Sequence, residues 1–130
     1  MKASSKDYAR FELAQGIWMS LWACGDSRGT RISAWSFFWA SFEMQKLPKT
    51  WYRVYPIGKA PGDWKPMKSV AAVFEDTGFA NDPAVLAEPP ADNQLGAAEK
   101  LPRGVYVLQA KVRIGRKNVD VPGVTFRVKC

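Results

Sequence analysis

Apolar and polar positions alternate most cleanly toward the C-terminal end of the chain. After Gly104, residues Tyr106, Leu108, Ala110, Val112 and Ile114 share one parity, while Val105, Val107, Gln109, Lys111 and Arg113 share the other. A period of two is that of a strand with one buried face. Residues 115–118 supply turn chemistry, Val119 and Val121 resume the alternation, and Pro122-Gly123 break it. Val124, Phe126 and Val128 then alternate with Thr125, Arg127 and Lys129, so the pattern predicts strands throughout this stretch.

Upstream the signals are shorter. Trp51-Tyr52-Arg53-Val54-Tyr55 is a β-prone run stopped by Pro56 and Gly58, and Ser69-Val70-Ala71-Ala72-Val73-Phe74 reads as another. Gly and Pro crowd residues 58–66, which read as a loop. Residues 75–103 read as a long acidic, Ala/Pro-rich connection with room for a short helix within 80–100. The first third is ambiguous. As a strand, residues 32–44 put Ile32, Ala34, Phe38, Ala40, Phe42 and Met44 on one face with only Ser36 intruding, but Trp35, Phe37 and Trp39 lie on the other. Residues 24–29 make a good turn, so 17–24 and 31–44 are expected as paired strands. The alternative is an α+β chain with helices in 8–24 and 31–46.

The segment Leu101-Pro102-Arg103-Gly104-Val105-Tyr106, followed by alternating apolars and a final Val-Thr-Phe-Arg-Val strand, resembles the last strands of immunoglobulin-like and fibronectin-III-like sandwiches. The resemblance covers about 30 residues and is that of a superfold. It implies a mainly β, immunoglobulin-like antiparallel sandwich in which Tyr106 is buried with its hydroxyl tied to nearby backbone. It implies no particular function.

Length changes the picture little: 130 residues suit one domain, 1–130, and an apolar content of 47% is too high for a disordered chain. Charge changes it more. The net charge is +7, yet residues 75–99 carry six acids (Glu75, Asp76, Asp82, Glu88, Asp92, Glu99) and no base, while residues 100–130 carry eight bases against Asp120 alone. The chain outside the acidic run is therefore strongly basic and suited to acidic or polyanionic partners. The acidic run itself is expected to be drawn to the basic surface of its own chain, or else to stay solvated.

Lys2, Lys6 and Arg10 before the apolar stretch 11–23, ending in Leu21-Trp22-Ala23-Cys24, have the layout of a lipoprotein leader, interrupted by Glu12 and Gln15. Without another address signal the default is a soluble cytoplasmic chain, with the lipoprotein reading through Cys24 as the alternative. No run reaches the ~20 apolar residues of a membrane span. Cys24 and Cys130 either form one long-range bridge or remain ordinary thiols.

Candidate chemistry is sparse. The chain has no histidine, which removes the usual general base and the commonest metal ligand. Gly25-Asp26-Ser27 reads as a turn, with no catalytic role expected for Ser27. Two distant cysteines and the single Asp26, Asp63 and Asp120 give no metal-ligand spacing, and Gly58-Lys59-Ala60-Pro61-Gly62 is not a phosphate loop. Glu75-Asp76, read as adjacent strand positions, would point to opposite faces. No catalytic residue, cofactor or metal is expected.

Two surfaces remain. Lys111, Arg113, Arg127 and Lys129 are expected to point outward, with Arg116 and Lys117 at the turn between strands; they form either a binding face or a guarded, solvated edge. Lys49, Trp51, Arg53 and Tyr55 share one parity, with Trp64 and Lys65 in the following loop. They are an aromatic and cationic contact strip, or core aromatics with Arg53 extended along them. The expected function is a non-enzymatic binding or assembly module docking on an acidic protein or multi-subunit structure. The alternatives are a nucleic-acid binder using the basic and aromatic face, and a carbohydrate-binding module.

Overall fold

The computed structural model describes residues 8–14, 17–23, 35–42, 47–77, 94–120 and 124–128. Cys24, Ser27, Lys129, Cys130 and the middle of the acidic run lie outside them. Two antiparallel sheets dominate, with one short helix. The first sheet contains β1 (Tyr8–Ala14), β2 (Ile17–Ala23), β3 (Trp35–Phe42), β7 (Gln94–Lys100) and β6 (Lys68–Ser69), in that spatial order. The second runs β10 (Val124–Val128), β8 (Gly104–Ile114), β4 (Thr50–Pro56), β5 (Lys65–Pro66), and β9 (Lys117–Asp120) pairs with the far half of β8. Helix α1 spans Val70–Thr77.

The expected pairing of the first third holds: β2 runs antiparallel to β3, with Met19 opposite Ala40 and Trp22 opposite Phe37. The helical alternative for 8–24 and 31–46 is not what forms. The stretch with a leader-like layout folds largely as the β1–β2 hairpin. No described helix is long and apolar enough to cross a membrane.

The core lies between the sheets. Phe38, Ala40 and Phe42 of β3 and Leu95 and Ala97 of β7 meet Tyr52 of β4, Leu108, Ala110 and Val112 of β8 and Val128 of β10. The alternation of β8 is met as its pattern predicts, since Tyr106, Leu108, Ala110 and Val112 are buried while the intervening residues are half-buried or exposed. Gly115 takes φ 63° in the two-residue loop joining β8 to β9, a left-handed conformation that glycine adopts without a steric cost.

Two segments differ from the sequence reading. Residues 70–74 form the start of α1 rather than a strand. Ser69 Oγ accepts a hydrogen bond from the Ala72 backbone N–H at 3.2 Å, an N-cap that starts the helix, and Val70 and Val73 are buried along one face. Glu75 and Asp76 are therefore helical. Residues 94–100, read as part of an acidic loop or short helix, are strand β7. Their composition (Gln-Leu-Gly-Ala-Ala-Glu-Lys) has little intrinsic strand preference, so the pairing with β3 and β6 imposes the conformation. The small side chains have a use. A Cβ on Gly96 would lie 3.1 Å from Val70 Cγ2 and from the Phe38 carbonyl, so glycine lets α1 approach the sheet closely. The helix lies against β7 and β6 and reaches the outer face of β3 where Phe37 meets Phe74 edge-on at 5.4 Å.

Tyr106 is buried, and its hydroxyl donates to the Pro102 carbonyl at 2.6 Å. Tyr106→Phe should cost about 1 kcal/mol, because the carbonyl left behind belongs to an exposed residue and can turn to water. A lower urea midpoint at unchanged m would show it.

Candidate binding surface

Directly opposed residues of an antiparallel pair point to the same side of a sheet, so register decides which outward residues are neighbours. In the second sheet Trp51 of β4 stands opposite Lys111 of β8, Arg53 opposite Gln109, and Tyr55 opposite Val107. All six turn away from the core. The aromatic strip and part of the basic strip are thus one surface.

Trp64 completes it. It ends the loop from β4 and sits just before β5, where Lys65 pairs with Tyr52 and Pro66 with Trp51. The Arg53 guanidinium lies 4.2 Å from the centre of the Trp64 ring. Lys111 Nζ lies 4.7 Å from the same ring and 5.1 Å from that of Trp51. These are cation–π distances, worth about 0.5–1 kcal/mol each at partly exposed sites. Arg53 is further fixed by its Nε–H, which donates to Gln109 Oε1 at 2.6 Å. Its terminal nitrogens have no hydrogen-bond partner among the described residues. Trp51, Arg53, Tyr55, Trp64 and Lys111 are all half-buried, so neither full burial in the core nor free solvation describes them. Lys111 is half-buried rather than exposed, with its ammonium between the two indoles.

The remaining predicted bases scatter. Exposed Arg113 follows Lys111 outward on β8, opposite Asn118, and its backbone N–H bonds the carbonyl of exposed Lys49 at 2.9 Å. Arg116 is exposed in the hairpin loop. Lys117 pairs with Ile114, so it falls on the parity that faces the core further along β8. Arg127 is exposed opposite Val105, on the outward side but six residues along β8 from Lys111, about 20 Å away at the usual strand rise. Lys129 lies outside the described residues. The bases expected in one neighbourhood therefore divide, with Lys111 beside the tryptophans, Arg113 next outward along β8 and Arg127 remote.

A second polar group, which the sequence reading missed, joins the two sheets. Tyr52 of β4 donates through Oη to Glu99 Oε1 of β7 at 2.7 Å, and Lys65 Nζ of β5 reaches the same oxygen at 2.8 Å. Burial first, and the Glu99 carboxylate second, push the Tyr52 phenol well above its ordinary range, so it remains a donor. Lys68 pairs with Asp76 of α1 at 3.4 Å. Two acids from the acidic run thus neutralise Lys65 and Lys68, not the basic residues of β8 and β10. Nothing in the sequence pairs Tyr52 or Lys65 with Glu99. No protein-family model matches the chain, and no curated protein or solved structure is significantly similar to it.

Proposed function

We propose that this chain is a non-enzymatic binding or assembly module, built on an immunoglobulin-like sandwich, that docks on an acidic protein surface through the outward face of its second sheet. The observation that carries this reading is the joined cluster of Trp51, Trp64, Arg53 and Lys111. Tryptophan and arginine dominate binding hot spots because they combine large apolar area with directed donors. Here the cations are already oriented, Arg53 by Gln109 and Lys111 by two rings, so less conformational entropy is lost on docking. The corner bond of Tyr106 to Pro102 supports the scaffold assignment.

The same residues bear on a nucleic-acid or carbohydrate partner, and the geometry favours a protein carboxylate. Stacking of a base or sugar on Trp64 would have to share a ring that Arg53 and Lys111 already contact. A carboxylate needs only the free edge of the guanidinium and the ammonium, which it meets without displacing either from the ring.

A salt series with labelled poly-glutamate, single-stranded DNA and a neutral oligosaccharide separates these partners. Poly-glutamate should bind most tightly at low salt. Lys111→Ser with Arg113→Ser should weaken that binding about tenfold and flatten its salt dependence, whereas Arg127→Ser should change it less than about twofold. The substitutions should leave the fold intact, since such charges add little to stability. Preference for the DNA or the sugar would replace the protein reading, and equal losses from Arg127→Ser would show that charge alone, without the tryptophans, is recognised.

A further inference from the structure

We infer that Glu99, on the first sheet, is a positioning residue for the docking surface on the second: it holds Lys65, and through Lys65 it fixes Trp64 against Arg53 and Lys111. The inference rests on the docking reading above.

Trp64 follows a run of exposed residues, 56–63, that turns through Gly58 at φ 80°. Its return to the sheet is brief. β5 is two residues long, and its second residue, Pro66, has no N–H to give to the ladder. A two-residue strand at a sheet edge is weak support for an indole that must stay over two cations. The tether from Lys65 Nζ to Glu99 at 2.8 Å acts one residue from Trp64. Behind it the Met67 backbone N–H bonds the Thr50 carbonyl at 2.9 Å and its side chain is buried, which fixes the far end of the segment but not the indole.

Glu99 is itself well held. Its carboxylate oxygen takes a second hydrogen bond from Tyr52, which is buried between the sheets and flanked in sequence by Trp51 and Arg53. One oxygen on β7 thus engages β4 through Tyr52 and β5 through Lys65, the two strands that carry Trp51, Arg53 and the approach to Trp64. Glu99 lies opposite Ser36, which is fully buried on β3. The carboxylate therefore shares the inner face of the first sheet with buried Ser36. Chemically, the acid that fixes the surface points away from it, so the outward charge remains positive for an acidic partner.

The test uses the full chain labelled with fluorotryptophan, with the Trp64 fluorine resonance assigned by its loss in Trp64→Phe. In Glu99→Gln the side-chain oxygen still accepts from Tyr52, but the ion pair with Lys65 is gone. The Trp64 resonance should move toward that of a solvated indole, and affinity for poly-glutamate at low salt should fall about fivefold. Lys65→Met should give the same displacement and loss, and the double variant no further change, because both remove one tether. Should Glu99→Gln fail to fold, Lys65→Met decides alone, since Lys65 is exposed. An unmoved Trp64 resonance in Lys65→Met would overturn the inference, as would a displacement in Glu99→Gln that Lys65→Met does not reproduce. If the unsubstituted chain does not bind poly-glutamate, the docking reading fails while the resonance still decides whether Glu99 positions Trp64.

Discussion

Replacing Phe38 by alanine should destabilise the folded chain by about 3–5 kcal/mol, the range for emptying a fully buried aromatic site. Phe38 has no exposed surface. Its ring centre lies 5.9 Å from that of Tyr52 on β4 and 5.9 Å from that of Phe126 on β10. Those strands are separated by β8, so no side-chain shift from one neighbour fills the space the ring leaves. Small domains are stable by only about 5–15 kcal/mol, so the loss should be visible as a large fall in the urea midpoint. A cost below about 1 kcal/mol would mean that the two sheets do not pack through Phe38.

What could be read from the sequence depended on which side of each strand meets water. β8 and β10 each keep one face toward solvent, so their alternation shows plainly. β3 does not, because Phe74 of α1 packs on its outer face and Phe37 is buried there as Phe38 is on the inner face. Apolar residues on both sides made that stretch read almost equally as strand or helix. Residues 69–74 misled for another reason. Their valines favour a strand, but the serine cap and the burial of Val70 and Val73 against β7 favour a helix, and the packing decides. β7 was hidden in turn by its own composition, since Gly96 answers to the closeness of α1 and not to strand preference.

The binding surface was legible strand by strand and illegible as a whole. Parity placed Trp51, Arg53 and Tyr55 on one side of β4, and Lys111 and Arg113 on one side of β8. The register that sets Trp51 against Lys111 joins strands about sixty residues apart and leaves no local signal. Six bases close in sequence therefore looked like one patch, while the structure separates Arg127 from Lys111 and puts Trp64 beside Lys111 instead. The acidic run showed the same limit. Its charge predicted an attraction to the face of Lys111, Arg113, Arg127 and Lys129; the described acids Glu99 and Asp76 pair instead with Lys65 and Lys68, where β5, β6, β7 and α1 meet, and residues 82–92 lie outside the described residues.

Trp64→Ala combined with Trp51→Ala should produce the largest loss of binding, about thirtyfold or more, because truncating aromatic anchors at the centre of an interface commonly costs 2 kcal/mol or more. Each indole contributes twice in this arrangement. It offers apolar area to the partner, and it holds Lys111 or Arg53 in place, so its removal also frees cations that were oriented before docking. Both side chains are half-buried on the outer face and neither belongs to the buried cluster between the sheets, so the variant should fold. The most direct measurement is the dissociation constant of labelled poly-glutamate at low salt for the unsubstituted chain and for this double variant, with the urea midpoint of each taken alongside. The account predicts measurable binding that falls at least about thirtyfold in the variant while the midpoint stays close to the original. Equal affinity in two folded proteins would contradict it, and would show that the outward face of the second sheet is not where an acidic partner docks.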